Sequence, residues 1–216
     1  GGGYKDQKGL GPGNIKKYLD MYGWEQKTGI DLPGEFKGFV PSPNWKKEVK
    51  KENWWDGDTY NLSIGQSDLQ VTPLHVAVAY AAIANGGTLY KPQIVQKIIN
   101  GSGADALVVQ EFKPEVNGKL DIDQQNLQVV REGMRDGVRL EYGSSLMLNN
   151  IGVPIAGKTG TVETGRVGIF NTWSSSFAPY ENPEIVFVAT IEGVQGLRSA
   201  TLPVAHDVLD YYFNKK

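Results

Sequence analysis

Four consecutive residues, Lys158 to Thr161, combine an ammonium group, two hydroxyl groups and a glycine. They follow the apolar run 153–156, which predicts a β-strand through the motif. Side chains alternate along a strand, so Lys158 and Gly160 share one face while Thr159 and Thr161 share the other. Side chains on opposite faces of a strand can contact the same ligand only if the strand lies at the edge of a sheet. The spacing therefore indicates a candidate binding or catalytic site at a strand edge.

The residues that follow predict the sheet to which this strand belongs. Two further strand-like runs lie at 172–177 and 185–191, so the three strands are expected to form an antiparallel sheet. An edge strand has unpaired backbone N–H and C=O groups, which can pair with an extended peptide. Gly160 would let another group approach closely on the lysine face. We therefore expect a peptide-like ligand.

The Lys-Thr-Gly triplet alone is weak evidence for such a site. A second copy, Lys27-Thr28-Gly29, lies in a turn-rich region of the same chain. For an isolated motif the simpler interpretation is that Lys158 is a solvated strand residue and that Gly160 forms a bulge. The strands around the later copy favour a functional site there.

Composition argues against several classes of function. The 216 residues include 22 basic and 24 acidic side chains, giving a net charge of −2, so broad attraction for nucleic acid is not expected. The sequence has no cysteine, which excludes disulfides, thiol nucleophiles and thiolate metal sites. His75 and His206 are far apart in predicted helices, so we expect neither a metal site nor a serine–histidine triad. No cofactor is expected.

The start of the chain and the lengths of its apolar runs indicate whether a signal peptide or a membrane-spanning helix is expected. No apolar run reaches about 18 residues, so no membrane-spanning helix is expected. The sequence opens with Gly1-Gly2-Gly3 rather than with a signal peptide, and we expect these residues to lie in the middle of a longer protein. We find no internal repeat and no domain boundary.

Hydrophobic periodicity predicts four helices, at 14–22, 73–84, 123–138 and 200–213. Thr72 is the predicted N-cap of the second helix, and Pro73 its first residue. Further strands are predicted at 93–99 and 106–112, and 23–60 is predicted to be mainly loop. The residues predicted to face inward are Ile15, Tyr18, Leu19 and Tyr22; Leu74, Ala77, Val78, Ala81 and Ala82; Leu127, Val130, Met134 and Val138; and Val204, Val208, Leu209 and Tyr212.

Several blocks of the sequence resemble one known family. Residues 61–66 (Asn-Leu-Ser-Ile-Gly-Gln), 71–74 (Val-Thr-Pro-Leu), 84–87 (Ala-Asn-Gly-Gly), 91–92 (Lys-Pro) and 156–161 (Ala-Gly-Lys-Thr-Gly-Thr) occur in the order and spacing of the penicillin-binding transpeptidase domain. Residues 28–35 and 55–60 look most like the class B enzymes of cell elongation, penicillin-binding protein 2 and its relatives. Two departures are Gly143-Ser144-Ser145 where Gly-Thr-Ala is commoner, and Asn171-Thr172-Trp173 where a histidine often precedes the tryptophan.

The resemblance implies an α/β (α+β) fold, with an antiparallel sheet flanked by helices as in serine β-lactamases. It also implies acyl transfer through a serine in an S-x-x-K motif, helped by S-x-N and K-T-G. None of the ten serines is followed three positions later by lysine. Ser42-Pro43-Asn44 spells S-x-N outside its usual place and is interpreted as coincidence. We therefore expect residues 1–216 to be the C-terminal portion of one transpeptidase domain, inactive alone, with its nucleophile upstream of Gly1.

The resemblance also assigns roles to the motif. Lys158 would lend positive charge near the nucleophile and orient the terminal carboxylate of the substrate, together with Thr159 and Thr161. The backbone N–H of Thr161 would supply half of the oxyanion hole. Lys158 and Thr161 are thus the expected catalytic residues, and Lys158, Thr159, Gly160 and Thr161 the expected substrate-binding residues.

The implied substrate is the D-alanyl-D-alanine stem peptide of peptidoglycan, with β-lactam antibiotics as ligands of the complete domain. Membrane-anchored elongation proteins are the implied partners, and the implied location is the extracytoplasmic (periplasmic) face of the bacterial cytoplasmic membrane. Two alternatives remain at this point. One is a serine β-lactamase or penicillin-sensing receptor, and the other is a non-catalytic pseudo-transpeptidase that acts as a binding module.

Overall fold

A computed structural model describes residues 9–103 and 106–215. The helices are α1 (Gly11–Met21), α2 (Pro43–Trp45), a π-helix (Lys46–Lys50), α3 (Asp56–Ser63), α4 (Pro73–Ala84), α5 (Gln124–Arg139), a 3-10 helix (Leu146–Asn150) and α6 (Thr201–Asn214). The strands are β1 (Thr88–Tyr90), β2 (Lys97–Asn100), β3 (Leu107–Glu111), β4 (Val116–Lys119), β5 (Ala156–Glu163), β6 (Ile169–Ala178) and β7 (Ile185–Gln195). Within the described ranges, no helix is both long and apolar enough to span a bilayer.

The central sheet has the strand order β5-β6-β7, and both pairs are antiparallel. Helix α4 packs on one face of β6 and β7, and α6 packs on the other. The predicted mixed fold, an antiparallel sheet flanked by helices with Lys158 on its first strand, is therefore confirmed.

Side-chain alternation along β6 divides the core into two clusters. Phe177 packs with Ala84 of α4 and Met134 of α5. Ala178, the next residue, packs on the opposite face with Leu209 of α6. Because successive residues of a strand point to opposite faces, this one strand contributes to both layers. The sheet thus has one face toward α4 and another toward α6.

Two small hairpins lie outside the central sheet, one of β1 with β4 and one of β2 with β3. The prediction placed a strand at 93–99, whereas β2 begins only at Lys97. The carboxylate of Asp31 accepts hydrogen bonds from the backbone N–H groups of Ile94 and Val95, at 2.8 and 3.0 Å. Because a side chain already binds these two amides, the strand ladder starts after them.

Helix α4 begins as predicted, with the Thr72 hydroxyl accepting a hydrogen bond from the His75 amide. The predicted inward stripe is wrong in detail, because Ala82 is its only fully buried member. The helix instead buries His75, Val76, Ala79, Ala82 and Ala84. Its residues are apolar nearly all round, so spacing alone does not select the face. His75 is 1% exposed, and its ring nitrogens contact Thr72 Oγ1 and the Gln26 carbonyl oxygen, at 2.7 and 2.8 Å.

The predicted faces of three other helices also need correction. Val130 of α5 is 48% exposed, although Leu127, Met134 and Val138 are buried as predicted. In α6, Val204 and Val208 are exposed, and the buried residues are Thr201, Leu202, Ala205 and Leu209. No residue of α1 is fully buried. Val204 and Val208 are four residues apart, as are Ala205 and Leu209. Hydrophobic spacing is therefore compatible with either of two adjacent faces of the helix as the buried one.

The region 23–60 was predicted to be mainly loop but contains α2, the π-helix and most of α3. Helix α3 begins where the Asp58 carboxylate accepts a hydrogen bond from the backbone N–H of Trp55, at 2.7 Å. An acidic residue at this position stabilises the start of a helix. Trp54 donates its indole N–H to Thr59 Oγ1, at 2.8 Å. The basic residues Lys46, Lys47 and Lys50 lie on the π-helix.

Candidate active site

Strand β5 has its free edge on the side away from β6. The Ile155 carbonyl accepts a hydrogen bond from Arg135 of α5, at 3.1 Å. The Gly157 carbonyl oxygen also faces α5, 3.1 Å from the position that a Cβ on Gly137 would occupy. Since the backbone groups of alternate residues point to the same side of a strand, the amides of Thr159 and Thr161 point to this free edge too.

Beyond Gly157 the edge of β5 borders an open cleft of about 550 Å³. One side of the cleft is formed by β5 and β6, and the other by the segment 64–71 and by Val76 and Tyr80 of α4. The lining residues are Trp24, Ile64, Gly65, Ser67, Leu69, Gln70, Val71, Val76, Tyr80, Lys158, Thr159, Gly160, Thr161, Val162, Asn171, Trp173, Ser175 and Glu192. All four predicted site residues therefore line one cleft.

Lys158 lies on the exposed surface of this cleft. Its Nζ donates a hydrogen bond to the carbonyl oxygen of its neighbour Thr159, at 2.6 Å. Among the described residues, no carboxylate lies within ion-pair distance of this ammonium. An ammonium in a cleft with no carboxylate at ion-pair distance can bind an anionic group.

Gly160 lies directly opposite Trp173 on β6. A Cβ at this position would lie 3.3 Å from the Trp173 Cβ, which is tighter than ordinary van der Waals contact. The absent side chain therefore leaves the face above Trp173 open toward the cleft. This supports the expectation that the glycine permits a close approach on the lysine face.

The two threonine side chains belong to the α6 face, as strand alternation predicts. Thr161 Oγ1 donates a hydrogen bond to the carbonyl oxygen of Arg198, at 3.0 Å. The hydroxyl of Thr161 thus already has a protein partner, while its amide lies at the free edge. Binding of a carboxylate by the hydroxyls of Thr159 and Thr161 stays a prediction.

The sequence analysis did not predict several polar residues that line the cleft, among them Ser175 and Tyr80. Ser175 lies opposite Lys158 on β6 and is 4% exposed. Burial raises the pKa of the Tyr80 phenol above its ordinary value, and a hydrogen bond with Ser175 acts in the opposite direction. The phenol is therefore neutral at physiological pH. The alternation of β6 could have placed Ser175 and Trp173 on one face, but only the strand register brings Ser175 to Lys158.

The other motifs considered in the sequence have structural roles. The Thr28 amide and hydroxyl both donate to Glu35 Oε1, each at 2.6 Å, so the earlier Lys-Thr-Gly copy is held by the Glu35 carboxylate. Ser42 caps α2 by accepting a hydrogen bond from the Trp45 amide, at 3.2 Å. His206 Nε2 lies 3.1 Å from Asn150 Oδ1. Within 9–103 and 106–215, no group of three or more His, Asp or Glu residues is arranged to hold a metal ion.

The cleft and its lysine strand can now be compared with known proteins. The family model for the penicillin binding protein transpeptidase domain matches residues 4–210. The chain belongs to this family. Its PBP2-like class B character, predicted from the sequence blocks, is also confirmed.

The similar proteins are peptidoglycan transpeptidases. The chain is 30% identical to the peptidoglycan D,D-transpeptidase MrdA of Acinetobacter baumannii, over 94% of this chain and 31% of that protein. It is 26% identical to the MrdA of Haemophilus influenzae, over 99% of this chain and 34% of that protein. The chain thus spans about a third of the length of these relatives.

Solved structures of the same family share the fold. Penicillin-binding protein PBP2 from Helicobacter pylori superposes with a TM-score of 0.77 at 28% identity, covering 93% of this chain and 35% of that one. Pseudomonas aeruginosa PBP2 in complex with WCK 5153 gives a TM-score of 0.78 at 27% identity, covering 95% of this chain and 44% of that one.

Proposed function

We propose that this chain is the substrate-binding, C-terminal portion of the transpeptidase domain of a peptidoglycan D,D-transpeptidase. The observation that supports this most directly is the Lys158 ammonium, which has no carboxylate partner within 9–103 and 106–215 and lies in a cleft beside the outer edge of β5. Family membership supports cross-linking of stem peptides during cell-wall elongation as the reaction that this site serves. The serine nucleophile comes from a segment outside these 216 residues.

In this proposal the stem peptide adds to β5 as a further antiparallel strand. The edge-facing N–H and C=O groups of Thr159 and Thr161 would pair with its backbone, and Lys158 would exchange its contact with the Thr159 carbonyl for the terminal carboxylate of the peptide. A peptide bound in this direction has its carboxylate near Lys158 and its preceding residues near Val162. The scissile carbonyl would then lie beside the amide of Thr161.

Catalysis in the complete domain would proceed through an acyl-serine intermediate. The serine oxygen attacks the carbonyl of the penultimate D-alanine, and the terminal D-alanine leaves as an amine after receiving a proton. An acceptor amine then attacks the ester and releases the serine. The Thr161 N–H would stabilise the oxyanion at each tetrahedral step, and losing one such donor typically costs about 10²–10³ in turnover.

The proposed setting is the extracytoplasmic face of the bacterial membrane, where peptidoglycan is assembled. Helicobacter pylori PBP2 has been solved in complex with MreC, and another related chain belongs to a peptidoglycan synthase complex that coordinates polymerization and crosslinking. We infer similar partners for this protein, anchored in the membrane and active in elongation. β-Lactam antibiotics, which resemble the stem-peptide terminus, are the expected inhibitors.

A fluorescent penicillin tests the assignment. A longer polypeptide that contains an upstream S-x-x-K should take up one penicilloyl group and keep it, and Lys158→Ala should lower the rate. The 216-residue chain alone should remain unlabelled in an intact-mass measurement. Rapid turnover of the penicillin would instead indicate a β-lactamase, and a longer polypeptide that is never labelled would indicate a silent binding module.

A further inference from the structure

The side of the cleft that faces β5 is an irregular segment, residues 64–71, which we call the cleft wall. Ser67, Leu69 and Gln70 of this wall all line the cleft. Ser67 has φ 73°, a left-handed conformation that is uncommon for residues other than glycine. Such a conformation persists only when neighbouring contacts hold it. The contacts on either side of Ser67 therefore decide the shape of the wall.

The residue after Ser67 is held by an ion pair. Lys50 Nζ lies 2.7 Å from both carboxylate oxygens of Asp68, with the two side chains 39% and 37% exposed. The same ammonium lies over the ring of Trp45, 5.2 Å from its centroid. Two contacts on one ammonium restrict its position more than a single ion pair would. Asp68 is thus tied to the last turn of the π-helix.

A second lysine of the π-helix holds the helix that leads into the wall. Lys46 Nζ lies 2.9 and 2.8 Å from the Asp58 carboxylate oxygens, and the Lys46 side chain is only 12% exposed. Asp58 also binds the N-terminus of α3 through the Trp55 amide. Lys46 and Lys50 therefore fix the start of α3 and the middle of the wall from one short helix.

The far end of the wall is fixed separately by backbone pairing. The Phe39 amide donates to the Gln70 carbonyl oxygen, and the Gln70 amide donates to the Phe39 carbonyl oxygen, at 2.8 and 2.9 Å. Ser67, with its left-handed backbone, lies between the end of α3 and Gln70. Within this stretch, the ion pair of Asp68 with Lys50 links the wall to the π-helix.

We propose that Lys50 and Asp68 are positioning residues for ligand binding in the cleft, acting through the wall that contains Ser67 and Leu69. This inference rests on the proposed function, because it takes the cleft to be the substrate site. Without the ion pair between Lys50 and Asp68, Ser67 can leave its left-handed conformation and Leu69 can move. The cleft wall then has no single conformation against a ligand that lies on β5. The chemical groups of the reaction stay unchanged.

The test uses the full-length polypeptide and fluorescent penicillin, with acylation followed over a range of penicillin concentrations. Asp68→Asn and Lys50→Ala should each weaken the initial, non-covalent binding about two- to fivefold, the range expected for a partly exposed ion pair. The limiting acylation rate at saturating penicillin should change little. Lys47→Ala, on the same helix and without an ion pair among the described residues, is the matched control.

The charge-swapped double variant Lys50→Asp with Asp68→Lys sharpens the test. It should bind penicillin more tightly than Asp68→Asn or Lys50→Ala. The loss of binding caused by Asp68→Asn should also become smaller in about 1 M salt, where exposed charges are screened. Thermal unfolding of each variant shows whether the fold is retained. If Asp68→Asn binds penicillin like the original protein, the positioning role is wrong. If the original protein is itself never acylated, the proposed function is wrong instead.

Discussion

Lys158 and Ser175 lie directly opposite each other on β5 and β6, and both line the cleft together with Tyr80 of α4. Lys158 therefore shares this face of the cleft with a neutral hydroxyl and a neutral phenol. Neither group neutralises its charge. The positive field of Lys158 remains available to an anionic ligand, and this makes the residue the first to test.

Replacing Lys158 with alanine should lower the second-order rate of acylation by fluorescent penicillin. The loss of one charged hydrogen bond of about 1.5–3 kcal/mol corresponds to roughly ten- to a hundredfold. Lys97→Ala, an exposed lysine of β2, serves as the control and should leave the rate unchanged. A Lys158→Ala variant with the original rate would remove this residue from the site.

Adding a methyl group at Gly160 should slow acylation without unfolding the chain. The new Cβ would lie 3.3 Å from the Trp173 Cβ and would intrude on the face that the ligand approaches. Gly133→Ala is the matched control, because its Cβ would enter open space on α5. That control should raise stability by about 0.5–1 kcal/mol. Equal acylation rates for the two variants would contradict the close-approach role of Gly160.

Arg131 should contribute strongly to stability, because it joins α5 to the end of α4 and to the sheet. It donates hydrogen bonds to the carbonyl oxygens of Ile83, Ala84 and Tyr180. Its guanidinium also lies 5.1 Å from the ring centroid of Phe177. Arg131→Ala should cost on the order of 3 kcal/mol in urea unfolding.

Arg131→Lys should restore only part of this stability, since an ammonium cannot reproduce the planar fork. Arg139→Ala, at an exposed position on the same helix, is the control and should cost far less. Comparable losses at the two arginines would show that Arg131 does not have this linking role.

Glu35 should make the stability of the chain depend on pH in the acidic range. Partial burial raises the pKa of Glu35, but hydrogen bonds from Thr28 and Gly29 outweigh it, so the pKa lies below the ordinary value of 4.5. A lowered pKa in the folded state means that the stabilisation is present above about pH 4.5 and is lost as the pH falls through the folded pKa.

Urea unfolding between pH 7 and pH 3 checks this dependence. Glu35→Gln should be less stable than the original chain at pH 7, and the difference should diminish at pH 3. Glu163→Gln, at the exposed end of β5, provides the comparison. An unchanged difference across the pH range would mean that ionisation of Glu35 does not stabilise the folded segment around Thr28.

The lysine strand could be predicted from sequence because its information is local. An apolar run before Lys158 and strict alternation after it determine which side chains share a face. The pairing with β6 is not local, since it depends on the turn between the two strands and on the packing of α4. Ser175 and Tyr80 therefore entered the site only with the three-dimensional register.

The buried faces of the helices also could not be predicted from local sequence alone. Helix α4 is apolar on nearly every side, so the buried face is chosen by the sheet rather than by spacing, and His75 is inside because Thr72 and Gln26 satisfy its ring. Helix α3 follows two tryptophans and contains Gly57, which obscured its periodicity. Asp56 and Asp58 in its first turn were the signal that could have revealed it.

The division of the motif between two faces makes the pairing of β5 with β6 as important as the residues themselves. A slip of β5 by one position would carry the ammonium of Lys158 beneath α6 and turn a threonine methyl toward the cleft. The hydrogen bond from Thr161 to Arg198 opposes that slip from the far side. An insertion or deletion just before residue 158 would therefore be far more damaging than most substitutions within the motif.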